Sequence, residues 1–147
     1  MSGALPSLDL ATVSRFIGRG PKQKSITAMK TEEIAKRLVA HCREQKWEAA
    51  QKELFADDAV SIEPYATPAF EKETKGLPKI IEKGHKFDAM IETMHSLKVS
   101  DPVVATNAFA CTMQMDVTMK GQGRMNMSEL CVYRVKDDKI ISEEFVV

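Results

Sequence analysis

The sequence is short of the features that identify most functions at sight. Its 147 residues carry 21 basic and 21 acidic side chains, so the formal net charge is zero. Nothing in that balance attracts nucleic acid or an anionic membrane, and the basic residues do not cluster with aromatics, which make up only 6% of the chain. No apolar run approaches the roughly 18 residues that a bilayer span needs, so neither a membrane nor a nucleic acid is an expected partner. Cysteine is scarce as well. Cys42, Cys111 and Cys131 are odd in number and lack the CxxC or Cys/His spacing of structural zinc. That excludes a disulfide framework and, with no signal-peptide pattern, predicts reduced thiols in a cytoplasmic protein. No metal or cofactor motif is present, and no repeat or low-complexity tract appears.

What the chain does have is a period-two stripe from Phe109 to Val147. Odd positions read Phe109, Cys111, Met113, Met115, Val117, Met119, then Met125, Met127, Glu129, Cys131, Tyr133, Val135, and finally Ile141, Glu143, Phe145, Val147. Even positions, among them Gln114, Asp116, Arg124, Asn126 and Arg134, are mostly polar. Strand side chains alternate between sheet faces, so the stripe predicts a sheet with one apolar face. Glu129 and Glu143 interrupt that face. A carboxylate buried there must be paired, hydrogen-bonded or held neutral, which points to a cavity with acids projecting into it. Nine methionines suit an adaptable apolar lining for a small apolar molecule.

The elements before the stripe are helical. Residues 1–28 hold Arg15, Arg19, Lys22 and Lys24 against Asp9 alone, with no sustained apolar period. They read as a flexible extension or a non-native leader, with a transit-like or partner-binding arm as the alternative. Residues 29–147 form the domain. Thr31 reads as an N-cap for a helix whose inward face is Ile34, Ala35, Leu38, Val39 and Cys42. A short helix follows from Trp47, then a strand over Val60–Glu63 and a loop over 64–76. A long amphipathic helix built on Leu77, Ile80, Ile81, Gly84, Phe87, Ile91 and Met94 comes next, with His95 at its end and on its apolar side. The strands are separated by turns at Gly121-Gln122-Gly123 and at Lys136–Lys139. A two-residue Asp137-Asp138 turn would put Glu143 on the face opposite Glu129, whereas a three-residue turn keeps both on one face with Cys131 opposite Glu143. The second is preferred because it keeps Ile141, Phe145 and Val147 inward.

The opening helix with Trp47-Glu48 behind it, the segment Leu54–Pro64, Gly76 before the long helix, Met94-His95-Ser96, and above all Glu129–Phe145 resemble the SnoaL-like members of the nuclear-transport-factor-2-like superfamily. The resemblance covers about residues 29–147. It implies an α+β cone, with helices packed on a strongly curved antiparallel sheet around a deep apolar pocket, commonly in a homodimer. Relatives include polyketide cyclases, ketosteroid isomerases, dehydratases and epoxide hydrolases. The Asp-Arg-Asp cluster of the hydrolases has no counterpart here, because Arg124, Arg134 and Asp116 fall on the polar face.

Glu129, Glu143 and His95 are therefore the candidate catalytic residues, with Glu63, Met113, Met115, Met127, Tyr133 and Phe145 lining the ligand site. Two carboxyls in an apolar cavity can divide the roles of base and acid between them. Alternatively, one or both glutamates pair with a cation or a backbone group and are structural. His95 could equally answer the end of its helix. Asp88 fits either the pocket mouth or a helix-flank ion pair, and His41 and His85 read as surface residues. Leu130 and Val132 are apolar on the polar face and mark a self-association surface. Two functional classes follow: a cofactor-independent lyase or isomerase acting on a small apolar carbonyl compound, or a non-catalytic protein that binds a small hydrophobic ligand.

Overall fold

The computed structural model describes residues 21–147, with side chains from residue 30 onward. The extension expected over residues 1–28 thus lies outside the described side chains. Helix α1 (Pro21–Arg43) is already running when it reaches Thr31, which is buried in mid-helix rather than capping it. The Thr31 hydroxyl donates instead to the carbonyl of Thr106, 2.8 Å away, and so ties the helix to the sheet. Ile34, Ala35, Leu38, Val39 and Cys42 make the buried stripe that the spacing predicts. Helix α2 (Trp47–Leu54) leads directly into strand β1 (Phe55–Ile62), and a short β2 (Glu73–Lys75) returns beside it. Helix α3 (Leu77–Met90) starts at Gly76, whose φ of 94° belongs to glycine, with Pro78 in the first turn where no amide proton is needed.

The remaining strands are β3 (Ile91–Val99), β4 (Val103–Val104), β5 (Ala108–Met119), β6 (Gly123–Lys136) and β7 (Lys139–Val146). They pair in the order β2-β1-β7-β6-β5-β3, with β4 on β5. Every pairing is antiparallel except β1 with β7, so the curved sheet is mixed. It is covered by the three helices, and Leu38, Ala50, Leu54 and Ile80 meet the inward residues of β5, β6 and β7 in one core.

Three local readings change. The long helix stops at Met90, and Ile91 to Met94 belong to β3, because apolar residues three apart fit a strand with bulges as well as a helix. The loop between β5 and β6 is Lys120-Gly121-Gln122 rather than Gly121-Gln122-Gly123, closed by Met119 opposite Gly123, and Met113 faces Glu129. The last turn has two residues, Asp137 and Asp138, both left-handed with φ of 51° and 62°. Parity is restored a few residues later. Arg134 pairs with Ser142 and Val135 with Ile140, so Ile141 is the extra residue of a β-bulge. Ile140 is buried in place of Ile141, and Glu143 swings to the inner face opposite Tyr133, not Cys131.

Candidate functional site

The inner face of the sheet and the helices enclose a cavity of about 570 Å³, within the range of small-molecule sites. Met113, Met115, Met119, Met125 and Met127 supply much of its wall, joined by Phe55, Ile80, Phe87, Tyr133 and Phe145. Glu63, Glu129 and Glu143 reach the same cavity, so all the expected lining residues and two of the three expected catalytic ones share one space.

One row of side chains crosses four strands. Phe109 stands opposite Tyr133, Tyr133 opposite Glu143, and Glu143 opposite Ser61. Phe109 and Tyr133 stack with ring centroids 4.8 Å apart. Ser61 is fully buried, and its hydroxyl donates to Glu143 Oε1 at 2.7 Å. Lys83, on the inward side of α3, donates to Ser61 Oγ at 2.6 Å and to Glu63 Oε1 at 2.7 Å. An ammonium can only donate, so the polarity of this chain is fixed: Lys83 gives to Ser61, and Ser61 passes its own proton to Glu143. Burial pushes the Glu143 carboxyl above its ordinary pKa, and the Ser61 hydroxyl and the Lys83 charge pull partly the other way.

Glu129 stands apart from this chain. Its pKa is raised to about 7, chiefly by burial and then by the negative charges of Glu63 and Glu143. Among the described residues it has no ion-pair partner, and its one hydrogen-bond contact is with the Cys131 thiol, which donates to it at 3.9 Å. The Lys83 charge reaches it as well and favours its ionised form, and a spacing of four positions along β6 sets it apart from Tyr133, the partner of Glu143, so no hydrogen bond joins the two glutamates. They sense each other through charge rather than by contact. Cys131 faces Cys111 across the hairpin, and the contact with that thiol and its own burial push its pKa far up. The same contact holds the Cys111 thiol below its ordinary value, and both cysteines are buried in the core.

His95 does not join the site. It occupies a bulge of β3, is exposed, and shares a 2.7 Å hydrogen bond with Thr118 Oγ1 on the outer side of the sheet. With the helix ending at Met90, its place on the Leu77 face disappears. His41 and His85 pair with Glu53 and Glu48 on the surface. Asp88 stands at the cavity mouth without an ion pair among the described residues, and Arg124 grips Asp116 with two bonds of 2.9 and 2.8 Å on the outer face. Among the described residues, no cluster of three or more His, Cys, Asp or Glu is arranged to hold a metal ion.

Lys83 and Ser61 were missed by the sequence reading, though both carry a signal. Lys83 lies three residues after Ile80 and four before Phe87, inside the apolar stripe of α3. Ser61 shares strand parity with Ala59 and Glu63.

Residues 29–147 match the family model of the SnoaL-like domain. The chain belongs to this family. A Mesorhizobium loti protein provisionally described as a SnoaL-like polyketide cyclase is 30% identical, with a TM-score of 0.73 over 78% of this chain and 97% of that one. A Bacillus subtilis protein provisionally described as an isomerase (19% identity, TM-score 0.59, 82% and 87% covered) has the same fold. So does a Catenulispora acidiphila protein with a ketosteroid-isomerase-like fold, solved with trimethylamine (20% identity, TM-score 0.61, 78% and 85% covered). Among curated proteins, none matches the chain. Among the described residues of this SnoaL-like chain, no helix is long and apolar enough to cross a membrane.

Proposed function

We propose that this SnoaL-like protein is a cofactor-independent lyase or isomerase that moves a proton on a small apolar carbonyl compound, with Glu129 as the base. One observation carries the reading: Glu129 is a carboxyl in a methionine-walled cavity with no salt bridge among the described residues, and burial outweighs the pull of the Lys83 charge on it. A base is most useful when its pKa lies near the working pH, and apolar surroundings supply that here. Glu143 has the supporting role. Its acceptor bond from Ser61 fits a carboxyl that holds the network and tunes Glu129 by charge. We further propose that the protein works as a homodimer joined through the outer face of the sheet, where Leu130 and its cross-strand neighbour Val146 are both exposed.

The test is exchange of α-protons for deuterium on a panel of small apolar ketones in deuterated buffer, followed by proton magnetic resonance. Wild-type protein is expected to accelerate exchange, and Glu129→Gln to lose about 10²- to 10⁴-fold of that rate. Ketones that bind without exchanging, or exchange that survives Glu129→Gln, would overturn the assignment. The first of these results favours the non-catalytic binding protein, a reading that draws on the way Glu63 and Glu143 are already engaged with Lys83 and Ser61.

A further inference from the structure

Proton removal next to a carbonyl leaves negative charge on the carbonyl oxygen, and that charge needs a donor inside the cavity. Lys83 is placed to supply it. Its ammonium has three protons, of which Ser61 Oγ takes one at 2.6 Å and Glu63 Oε1 another at 2.7 Å. The third has no partner among the described residues. Lys83 lines the cavity, its side chain is only 14% exposed, and its Nζ stands 5.4 Å from the centre of the Phe145 ring, which also lines the cavity. Two short bonds therefore fix the head of the lysine, and a third donor remains on a group that lines the cavity. Such a group is organised before the reaction and need not be reoriented during it.

We propose that Lys83 receives the carbonyl oxygen of the ligand and stabilises its enolate, so that the pocket selects apolar ketones or aldehydes that can enolise. This rests on the reading of Glu129 as the base. In the step, the Glu129 carboxylate takes the α-proton, and the C–H electron pair becomes the new C=C bond. The carbonyl π pair moves onto oxygen, where the third N–H of Lys83 holds it. Glu129 then returns the proton to another carbon, or the enolate electrons expel a β-substituent. No electron leaves the system and no co-reactant is consumed. Glu63 has the complementary task of holding the lysine in place, since the pair is held at 2.7 Å with only 24% of the glutamate exposed.

The test uses 4-nitrophenol, whose phenolate absorbs visible light and mimics an enolate, at a pH where the free phenol is mostly neutral. Wild-type protein is expected to bind it with growth of the phenolate band, and Lys83→Met to lose that band together with about tenfold to a hundredfold in affinity. Lys83→Arg, which keeps the charge, should recover part of both, and thermal melting of each variant shows whether it is folded. Glu129→Gln should keep the band. A folded Lys83→Met that retains it, a band abolished by Tyr133→Phe alone, or wild-type protein that binds only neutral phenol or none would each overturn the proposal. If the Lys83 variants fail to fold, the band in wild type and its absence with 4-nitroanisole, which cannot ionise, decide the matter. Ketone exchange that proceeds while the phenolate signal ignores Lys83 leaves the base assignment standing and removes this one. A Lys83-dependent band without ketone exchange does the reverse.

Discussion

Replacing Glu129 by glutamine should make the protein more stable at alkaline pH and nearly unchanged at acid pH. Burial raises the Glu129 carboxyl to about 7 in the folded chain, against 4.5 for an ordinary glutamate. A group whose pKa is raised by folding holds its proton more tightly in the native state. Its favourable contribution is complete below the unfolded value and is lost as pH rises through the folded one. The window is therefore about pH 4.5 to 7, with the penalty at its full size above it. At about 1.4 kcal/mol per pKa unit the displacement amounts to roughly 3 kcal/mol. Water in the cavity screens part of this, which leaves about 2–3 kcal/mol. For a chain of this size that corresponds to roughly 5–10 °C in Tm. Glutamine has nearly the same shape and no charge, so its melting temperature should lie close to wild type at pH 5 and above it by that margin at pH 8. Glu143 is also raised by burial, so the variant keeps some slope of its own, and the difference between the two profiles isolates Glu129. Calorimetry across pH 5 to 8.5 measures it, and a carbon-detected titration of the Glu129 carboxyl should show a midpoint near 7. Parallel melting profiles, or a midpoint in the ordinary carboxylate range, would refute the reasoning.

Ser61→Ala removes the hydroxyl between Lys83 and Glu143 and leaves a fully buried carboxyl oxygen without its donor. We expect a loss of about 1–3 kcal/mol in urea unfolding, and less for Glu143→Gln, which keeps an acceptor. A neutral Ser61→Ala would mean that water or a rotated lysine replaces the bond. Leu130→Arg should leave the fold intact, because that side chain is 40% exposed, while converting a dimer to a monomer in light scattering. A wild-type chain that is monomeric at every concentration would dispose of the outer-face interface.

The parts of the site that were legible in the sequence rest on strict local rules. Period two puts Met113, Met115, Met127, Glu129 and Tyr133 on one face without any knowledge of what covers them, and the structure places all five in the cavity wall. The same rule cannot see a bulge. Asp137-Asp138 forms the two-residue turn that, taken alone, would send Glu143 outward, and only the extra residue at Ile141 brings it back. That bulge sits where β7 also begins to follow β1, a contact between residues more than 80 apart in sequence, so no local pattern encodes it. His95 failed for a related reason. Ile91 and Met94 satisfy helical spacing, but the chain spends them on a strand whose bulges at Glu92 and His95 turn the imidazole outward.

Lys83 shows the opposite case, a charge inside the apolar stripe of α3 that the helical spacing displays but the sequence reading passed over. Its presence changes what the glutamates can do. A cavity with three carboxyls and no cation would have to hold most of them protonated, at a cost to folding that grows with pH. Lys83 pairs directly with Glu63 and supports Glu143 through Ser61, which offsets part of the effect of burial on Glu143. Glu129, which has no salt bridge among the described residues, is the carboxyl that burial carries up to about 7. The same lysine keeps one N–H without a hydrogen-bond partner among the described residues, at a group that lines the cavity. Division of labour between a fixed cation and a titrating carboxyl is what enolisation requires, and here both halves follow from which groups the network leaves unsatisfied.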